Sequence, residues 1–305
     1  MKALKYWPIY RKFVQWANHN FPVTICKMRF RKYFGRKMNL KNPQDINEKI
    51  SWLELFSDTS LWTKCTDKYA VREYVKNCEL ENILVKLYGK WDNANEIDWK
   101  NLPQQLILKT NNGSGTVLVI EDKNNINIEE VSIKFNKMLH QFNNLSTTEF
   151  HYQGIRPCIV AEELLISDDE ERKWSTSIID YKIWCFNGKV DSIWTCSNRN
   201  SYSTEVALFD RDWNYRPEAS VFNEHYKKQE HLTPRPDCLE ELIEVAEKLS
   251  APFPVVRVDL YIVKGKIYFG ELTFTSLGGT MDFYTTEELL RMGQKIDISK
   301  VKKIK

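Results

Sequence analysis

Apolar positions in the first hundred residues recur at helical spacing. Ile46, Ile50 and Leu53 stand at i, i+4 and i+7 behind Asn42-Pro43, and Thr66 opens the amphipathic run DKYAVREYV, so this part reads as mostly helical. From about residue 83 the pattern shortens to β-rich runs: ILVKLYG (83–89), QLILKT (105–110), TVLVIE (116–121) and CIVAEELLI (158–166). A helix between the last two is predicted to start at Asn127, with Glu130 three residues on, and to bury Val131, Phe135, Met138, Leu139 and Phe142. A second strand group follows: DYKIWCFNG (180–188), KVDSIWTCS (189–197), EVALFD (205–210), VVRVDLYIV (255–263) and KIYFGELTF (266–274). One helix interrupts it, with Asp237 and Glu240 in a capping-box pattern and an apolar face of Leu239, Leu242, Ile243, Ala246 and Leu249. There is no internal repeat and no βαβ rhythm, which predicts an α+β protein of two successive lobes behind a helical region.

Composition changes this picture little. The 305 residues are 42% hydrophobic, enough for one large domain or two ordinary ones. No run approaches the ~20 apolar residues of a membrane-spanning helix and no signal-peptide pattern opens the chain, so a cytoplasmic protein is expected. Seven cysteines without CxxC spacing read as reduced core residues, and five scattered histidines suggest no mechanism.

Charge adds more. The net charge is +3, but the first 44 residues hold eleven Lys or Arg and no acid, leaving 33 basic against 41 acidic residues in the remainder. Aromatics (Tyr6, Trp7, Tyr10, Phe13, Trp16, Phe30, Tyr33, Phe34) are interleaved with that basic stretch. The combination suits a membrane surface, an anionic polymer or nucleic acid, and equally a basic face packed on the acidic remainder.

The sharpest chemical signal is the hairpin around Lys264-Gly265-Lys266. A three-residue loop pairs Val258 with Leu272, Leu260 with Gly270 and Ile262 with Tyr268, keeping one face apolar and setting Asp259 opposite Glu271. A two-residue loop would set Asp259 opposite Gly270 and mix the faces, so the first register is expected. Two carboxylates facing each other at roughly 4.5–5.5 Å between Cβ atoms repel unless something compensates. A divalent cation would, and oxygen ligands without His or Cys favour Mg²⁺. Arg257 and Thr273 share the face, as contacts for a phosphate or carboxylate and for the metal; the alternative is an Arg257–Asp259–Glu271 ion-pair cluster on a solvated sheet.

Between two predicted strands, Asn111-Asn112-Gly113-Ser114-Gly115 is a loop whose N–H groups can close on phosphates, although it lacks the Walker spacing and leads into a strand. Lys109 precedes it in an apolar strand, and Lys182 interrupts another. Buried lysines need anions, which nucleotide phosphates would supply. Glu162 and Glu163 end a strand at the passage between the lobes, where backbone groups could hold an adenine.

TDKYAVREYV, LILKTNNGSG, VAEELL, DYKIWCFNGK and RVDLYIVKGKIYFGELTF, in this order, resemble the ATP-grasp superfamily, and within it the teichuronopeptide-biosynthesis (TupA-like) branch of bacterial polysaccharide synthesis. The resemblance spans residues 45 to 284. It implies a helical region at 1–82, a small lobe at 83–166 and a large lobe at 167–305, with ATP between the lobes. It also implies that Lys109, Gly113, Ser114 and Gly115 bind phosphates, that Glu162, Glu163 and Leu165 line the adenine pocket, and that Lys182 reaches the γ-phosphate. Asp259 and Glu271 would bind Mg²⁺, with Thr273 standing where many relatives have Asn. The ribose ligand is left open among Asp168, Asp169 and Glu170. Arg257, Gly278 and Gly279 would meet the acceptor.

The implied activity is a carboxylate–amine ligase working through an acyl phosphate, with a uronic-acid sugar and an amino acid as partners. The basic residues 1–44 would then contact a membrane or an anionic glycan peripherally, with no nucleic-acid role. An ATP-grasp kinase is the nearer alternative. Asp210-Arg211-Asp212 offers a glycosyltransferase alternative through its DxD form, though it also reads as a polar turn.

Overall fold

The computed structural model describes residues 8–113, 115–139 and 148–304. Five helices lead: α1 (Pro8–Asn20), α2 (Pro22–Phe34), α3 (Ile46–Phe56), α4 (Ser60–Thr66) and α5 (Val71–Asn77). α3 starts on Asp45, which accepts a hydrogen bond from the Glu48 amide at 2.9 Å, three residues later than the Asn42-Pro43 signal suggests. Thr66 ends α4 instead of opening a helix. The residues after it form a turn in which the Asp67 carboxylate accepts from the amides of Tyr69 and Ala70, at 2.8 and 3.1 Å, so the helical run starts only at Val71.

Among the described residues ten strands form two sheets. β1 (Leu87–Trp91), β2 (Leu106–Thr110), β3 (Val117–Ile120) and β4 (Ile159–Glu162) make the smaller, in the order β1-β4-β2-β3. α6 (Ile128–Leu139) caps its core of Leu106, Leu108, Ile120 and Ala161 with Val131, Phe135 and Leu139. Asn127 does start this helix, accepting from the amides of Glu129 and Glu130, whereas Met138 is only half-buried and Phe142 lies outside the described residues. The first run begins its strand at Leu87, not Ile83: Glu81–Ile83 form a short 3₁₀ turn, and Ile83 and Val85 are buried before the strand starts. The fourth leaves the sheet after Glu162, where the Glu163 amide donates to the Lys86 carbonyl at 2.9 Å.

The short helix α7 (Asp169–Arg172) leads to the larger sheet, β5 (Asp180–Phe186), β6 (Lys189–Ser197), β7 (Thr204–Asp210), β8 (Tyr226–Lys228), β9 (Val255–Val263) and β10 (Lys266–Thr273), ordered β10-β9-β5-β6-β7-β8. α8 (Leu239–Ser250) packs on β5, β6 and β9 with the five apolar residues expected of it, all buried. Its expected capping box is absent: Asp237 makes no cap bond, the N-cap is Cys238, and Glu240 pairs with Arg235 at 2.8 Å. The last helix is α9 (Thr286–Gln294).

The β9–β10 hairpin combines both candidate registers. Lys264 and Gly265 have φ of +53° and +71°, a two-residue turn, and Ile262 faces Ile267 while Leu260 faces Phe269. The expected pairs Leu260–Gly270 and Ile262–Tyr268 therefore do not form. A bulge at Gly270 then shifts the register, and beyond it Asp259 faces Glu271, Val258 faces Leu272 and Arg257 faces Thr273, as expected. Glycine is required at the bulge, since a Cβ there would lie 2.8 Å from the Asp259 carbonyl oxygen and 3.0 Å from the Tyr261 ring.

Candidate active site

Because α8 occupies one face of the large sheet, alternate residues of β5, β9 and β10 turn to the other. Lys182 stands opposite Asp259 and Asp259 opposite Glu271, so three strands set three charged residues in a row. Asp259 is buried; its Oδ1 accepts from Arg257 Nε at 2.7 Å, and its Oδ2 from Arg257 Nη2 at 2.7 Å and Lys182 Nζ at 2.6 Å. Lys182 also pairs with Asp180 at 2.6 Å, and Asp180 with Arg199 at 3.1 Å. Burial works against ionisation of Asp259, but Arg257 and Lys182 outweigh it and hold the carboxyl below its ordinary value. Burial likewise opposes the charge on Lys182, and Asp180 and Asp259 outweigh it, keeping the ammonium protonated.

Glu271 differs in kind. Its side chain is 47% exposed, against 2% for Asp259; Oε1 accepts from the Thr273 hydroxyl at 2.9 Å and lies 3.7 Å from Arg257, and Oε2 accepts no hydrogen bond among the described residues. The repulsion expected between the two carboxylates is thus compensated by Arg257 and Lys182 within the protein. Asp259, Glu271 and Thr273 are hard oxygen donors, which suits Mg²⁺, and Glu271 has an oxygen to offer. Asp259 becomes available only as Arg257 or Lys182 turns toward another anion. Among the described residues no three carboxylate, imidazole or thiol side chains gather as a ready cage.

A cavity of about 560 Å³ opens over this row. Lys182, Arg257, Glu271, Thr273 and Gly278 all line it. Gly279 is not in its wall: it is buried, and a Cβ on it would stand 3.2 Å from Ser51 Oγ of α3.

Lys109 and Glu162 lie next to this cavity in a small recess shared with Gly270. There they pair at 2.5 Å, and Arg72 adds a second cation to Glu162 at 3.4 Å. Glu162 thus points to the lysine side of β4, while Glu163 and Leu165 line a separate, shallower cleft with Tyr88, Lys264 and Tyr268. Gly113 is buried and its carbonyl accepts from Lys68 Nζ at 2.7 Å; Gly115 sits exposed with φ +73°, and Ser114 lies outside the described residues. The loop's base is fixed by Asn111, whose side chain donates to Asp67 and to the Arg156 carbonyl and accepts from the Cys158 amide.

Several residues were not singled out from sequence. Lys68, in the DKYAVREYV run, shares the recess with Lys109; burial pushes its ammonium below the ordinary lysine value, with Glu271 opposing and Lys109 adding to the depression. A lysine beside a turn-forming Asp gave no sign of burial. Asp180 stands in the DYK triplet two residues from Lys182, a spacing that places both on one face of a strand, and this could have been read. Arg29, Glu149, Tyr152 and Arg199 reach the cavity from distant segments.

A TupA-like ATP-grasp family model matches residues 48–297. The chain belongs to the TupA-like ATP-grasp family. The ATP-grasp assignment agrees with the two-sheet α+β architecture and the helical N-terminal region. Solved structures similar to this ATP-grasp protein include D-alanine–D-alanine ligase from Bacillus anthracis, at 15% identity over 80% of this chain and 73% of that one with a TM-score of 0.47. D-Alanine–D-alanine ligase from Helicobacter pylori is similar at 13% identity, covering 83% and 67%, with a TM-score of 0.45. D-Alanyl-alanine synthetase A from Vibrio cholerae O1 is similar at 12%, covering 81% and 68%, with a TM-score of 0.46. No curated protein matches the chain. The DxD alternative has no support in the geometry: the Asp210 carboxylate accepts from the amides of Asp212 and Asn214 at 2.9 and 2.8 Å, a polar turn, and Arg211 pairs with Glu247.

Proposed function

We propose that this protein is an ATP-dependent carboxylate–amine ligase of bacterial surface-polysaccharide synthesis, joining an amino acid or other amine to a uronic-acid sugar. The observation that carries the reading is the row Lys182, Asp259, Glu271 with Arg257 beside it, facing a cavity and adjoining the Lys68–Lys109 recess. Cations concentrated in a partly buried site suit a transferring phosphoryl group, whose charge they stabilise without moving far. ATP would lie between the lobes 83–166 and 167–305, its phosphates toward Lys68, Lys109 and the Gly113–Gly115 loop and its adenine toward Glu163 and Leu165.

A carboxylate oxygen of the sugar attacks the γ-phosphorus and ADP leaves; the amine then attacks the acyl carbon, loses a proton to solvent and expels phosphate. Arg257 and Lys182 hold the oxygens on which charge accumulates. Mg²⁺, held by Glu271 and Asp259 with the Thr273 hydroxyl beside them, would neutralise phosphate charge. Lys182 and Arg257 rest on Asp259 and would exchange it for phosphate, keeping Asp259 paired until nucleotide arrives.

No described helix is long and apolar enough to cross a membrane. Phe13, Trp16, Phe21 and Met28 are exposed on α1, α2 and the junction between them, among basic residues, which supports peripheral contact with an anionic membrane surface at the cytoplasmic side, where ATP is present. The test is a matrix of uronic acids and amino acids scored for ADP release. The ligase reading expects release that requires one member of each class; ADP with a stable phosphorylated product and no need for an amine indicates a kinase and sinks it.

A further inference from the structure

Residues that precede the family-matched segment complete the cavity. α2 carries Arg29 and Tyr33 into its wall and is anchored by Cys26 and Phe30, which are buried with Met38, Leu40 and Leu55. Arg29 Nη2 donates to the carbonyl oxygens of Leu277 at 3.0 Å and Gly278 at 2.9 Å, and reaches the Thr280 hydroxyl at 3.4 Å. Those carbonyls belong to the first two of three consecutive left-handed residues, Leu277, Gly278 and Gly279, with φ of +47°, +63° and +74°. A Cβ on Gly278 would stand 2.4 Å from Arg29 Nη2, so the guanidinium and the loop fit closely only because residue 278 is glycine. Arg257 holds the preceding residue, donating to Ser276 Oγ at 2.8 Å, so two arginines flank one loop.

Among the described residues four cations line the cavity, and three are paired with carboxylates: Lys182 with Asp180 and Asp259, Arg199 with Asp180, and Arg257 with Asp259 and, at 3.7 Å, Glu271. Arg29 makes no ion pair among the described residues, and its Nε and Nη1 have no hydrogen-bond partner among them; Glu54 feels its charge only at longer range. A part-buried guanidinium with donors to spare is a site for a carboxylate. Around it, Tyr33, Tyr152 and Tyr226 offer rings and hydroxyls suited to the apolar faces and hydroxyls of a sugar.

We propose that Arg29 binds the carboxylate of a uronic-acid acceptor, which makes α2 a specificity element of the enzyme; this rests on the ligase reading of the same cavity. The experiment measures binding, not turnover, by calorimetry on the full-length chain with Mg²⁺ and a non-hydrolysable ATP analogue, using D-glucuronate and the neutral D-glucose as probes. The wild type is expected to prefer glucuronate. Arg29→Gln should weaken glucuronate about ten- to a hundredfold, the range for hydrogen bonds to a charged group, and leave glucose and the ATP analogue within twofold. Arg29→Lys should recover part of the loss.

Equal binding of the two sugars by the wild type, unchanged glucuronate binding in Arg29→Gln, or a matching loss of ATP-analogue binding in that variant would each overturn the assignment. If one of these results comes with intact ADP release from a uronic acid and an amine, Arg29 alone is wrong. A wild-type chain that binds no ATP analogue removes the ligase reading and this proposal together.

Discussion

Two isosteric substitutions of facing carboxylates should separate, because one is buried and shared while the other is half in water. Asp259→Asn removes a negative charge that accepts three short hydrogen bonds, two from Arg257 and one from Lys182. Breaking a buried ion pair on one side costs roughly 3–5 kcal/mol. Lys182 keeps Asp180, and Arg257 keeps Ser276 and Thr273 at 2.8 and 3.1 Å, so the loss should sit near the low end, about 3 kcal/mol. At about 2 °C per kcal/mol for a chain of this size, that is a fall of about 6 °C in Tm. Glu271→Gln removes a charge whose side chain is 47% exposed and 3.7 Å from Arg257, a pair worth at most about 1 kcal/mol after solvent screening. It should leave Tm within about 2 °C and yet lower Mg²⁺-dependent ADP release about 100-fold or more, as the loss of one charge-stabilising group does. Thermal unfolding and ADP release on both purified variants provide the measurement. Equal destabilisation by the two substitutions would refute the burial argument, and full activity in Glu271→Gln would remove Glu271 from the metal site.

Gly270→Ala should cost about 1–3 kcal/mol in urea unfolding and lower ADP release at least tenfold, because its Cβ collides with the Asp259 carbonyl oxygen and disturbs the bulge that sets Glu271 opposite Asp259; wild-type stability and activity would show that the bulge is dispensable. His151 gives a pH test. Burial, with Glu149 opposing, lowers its pKa from 6.5 to about 4, so between those values the unfolded chain binds more protons and stability is lost as pH falls. Glu54, 3.7 Å away, is raised by burial and by Glu149, and contributes with the opposite sign: it favours the fold at low pH and loses that contribution as pH rises through its folded value. His151→Gln removes the first contribution and keeps the second. Between pH 7 and pH 5 the wild type should lose about 2 kcal/mol relative to this variant in denaturant titrations, and parallel curves would contradict the assignment.

Legibility followed distance along the chain. Nine of the ten described strands were readable because β-branched and aromatic residues cluster in short runs, and β6 and β9 match their predicted runs end to end; the three-residue β8, with the polar sequence YKK, was missed. Helix starts were less secure: Asp45, Asp67 and Asn42 are all competent turn or cap formers, and local sequence does not say which wins until the surrounding carbonyls and amides are placed.

The sequence by itself placed Asp259 and Glu271 opposite each other, since a hairpin joins residues close along the chain, but not by the register it favoured: a two-residue turn and the Gly270 bulge, not a three-residue loop, make the pairing. It left two things to the tertiary structure. One is that β5 lies beside β9, which sets Lys182, 77 positions away, against Asp259 and supplies from within the protein the positive charge that the acidic pair demands. The other is that α2 folds back across 248 positions to place Arg29 on the Leu277 carbonyl. Neither contact leaves a periodic trace in sequence, because each depends on how whole elements pack once their apolar faces are buried.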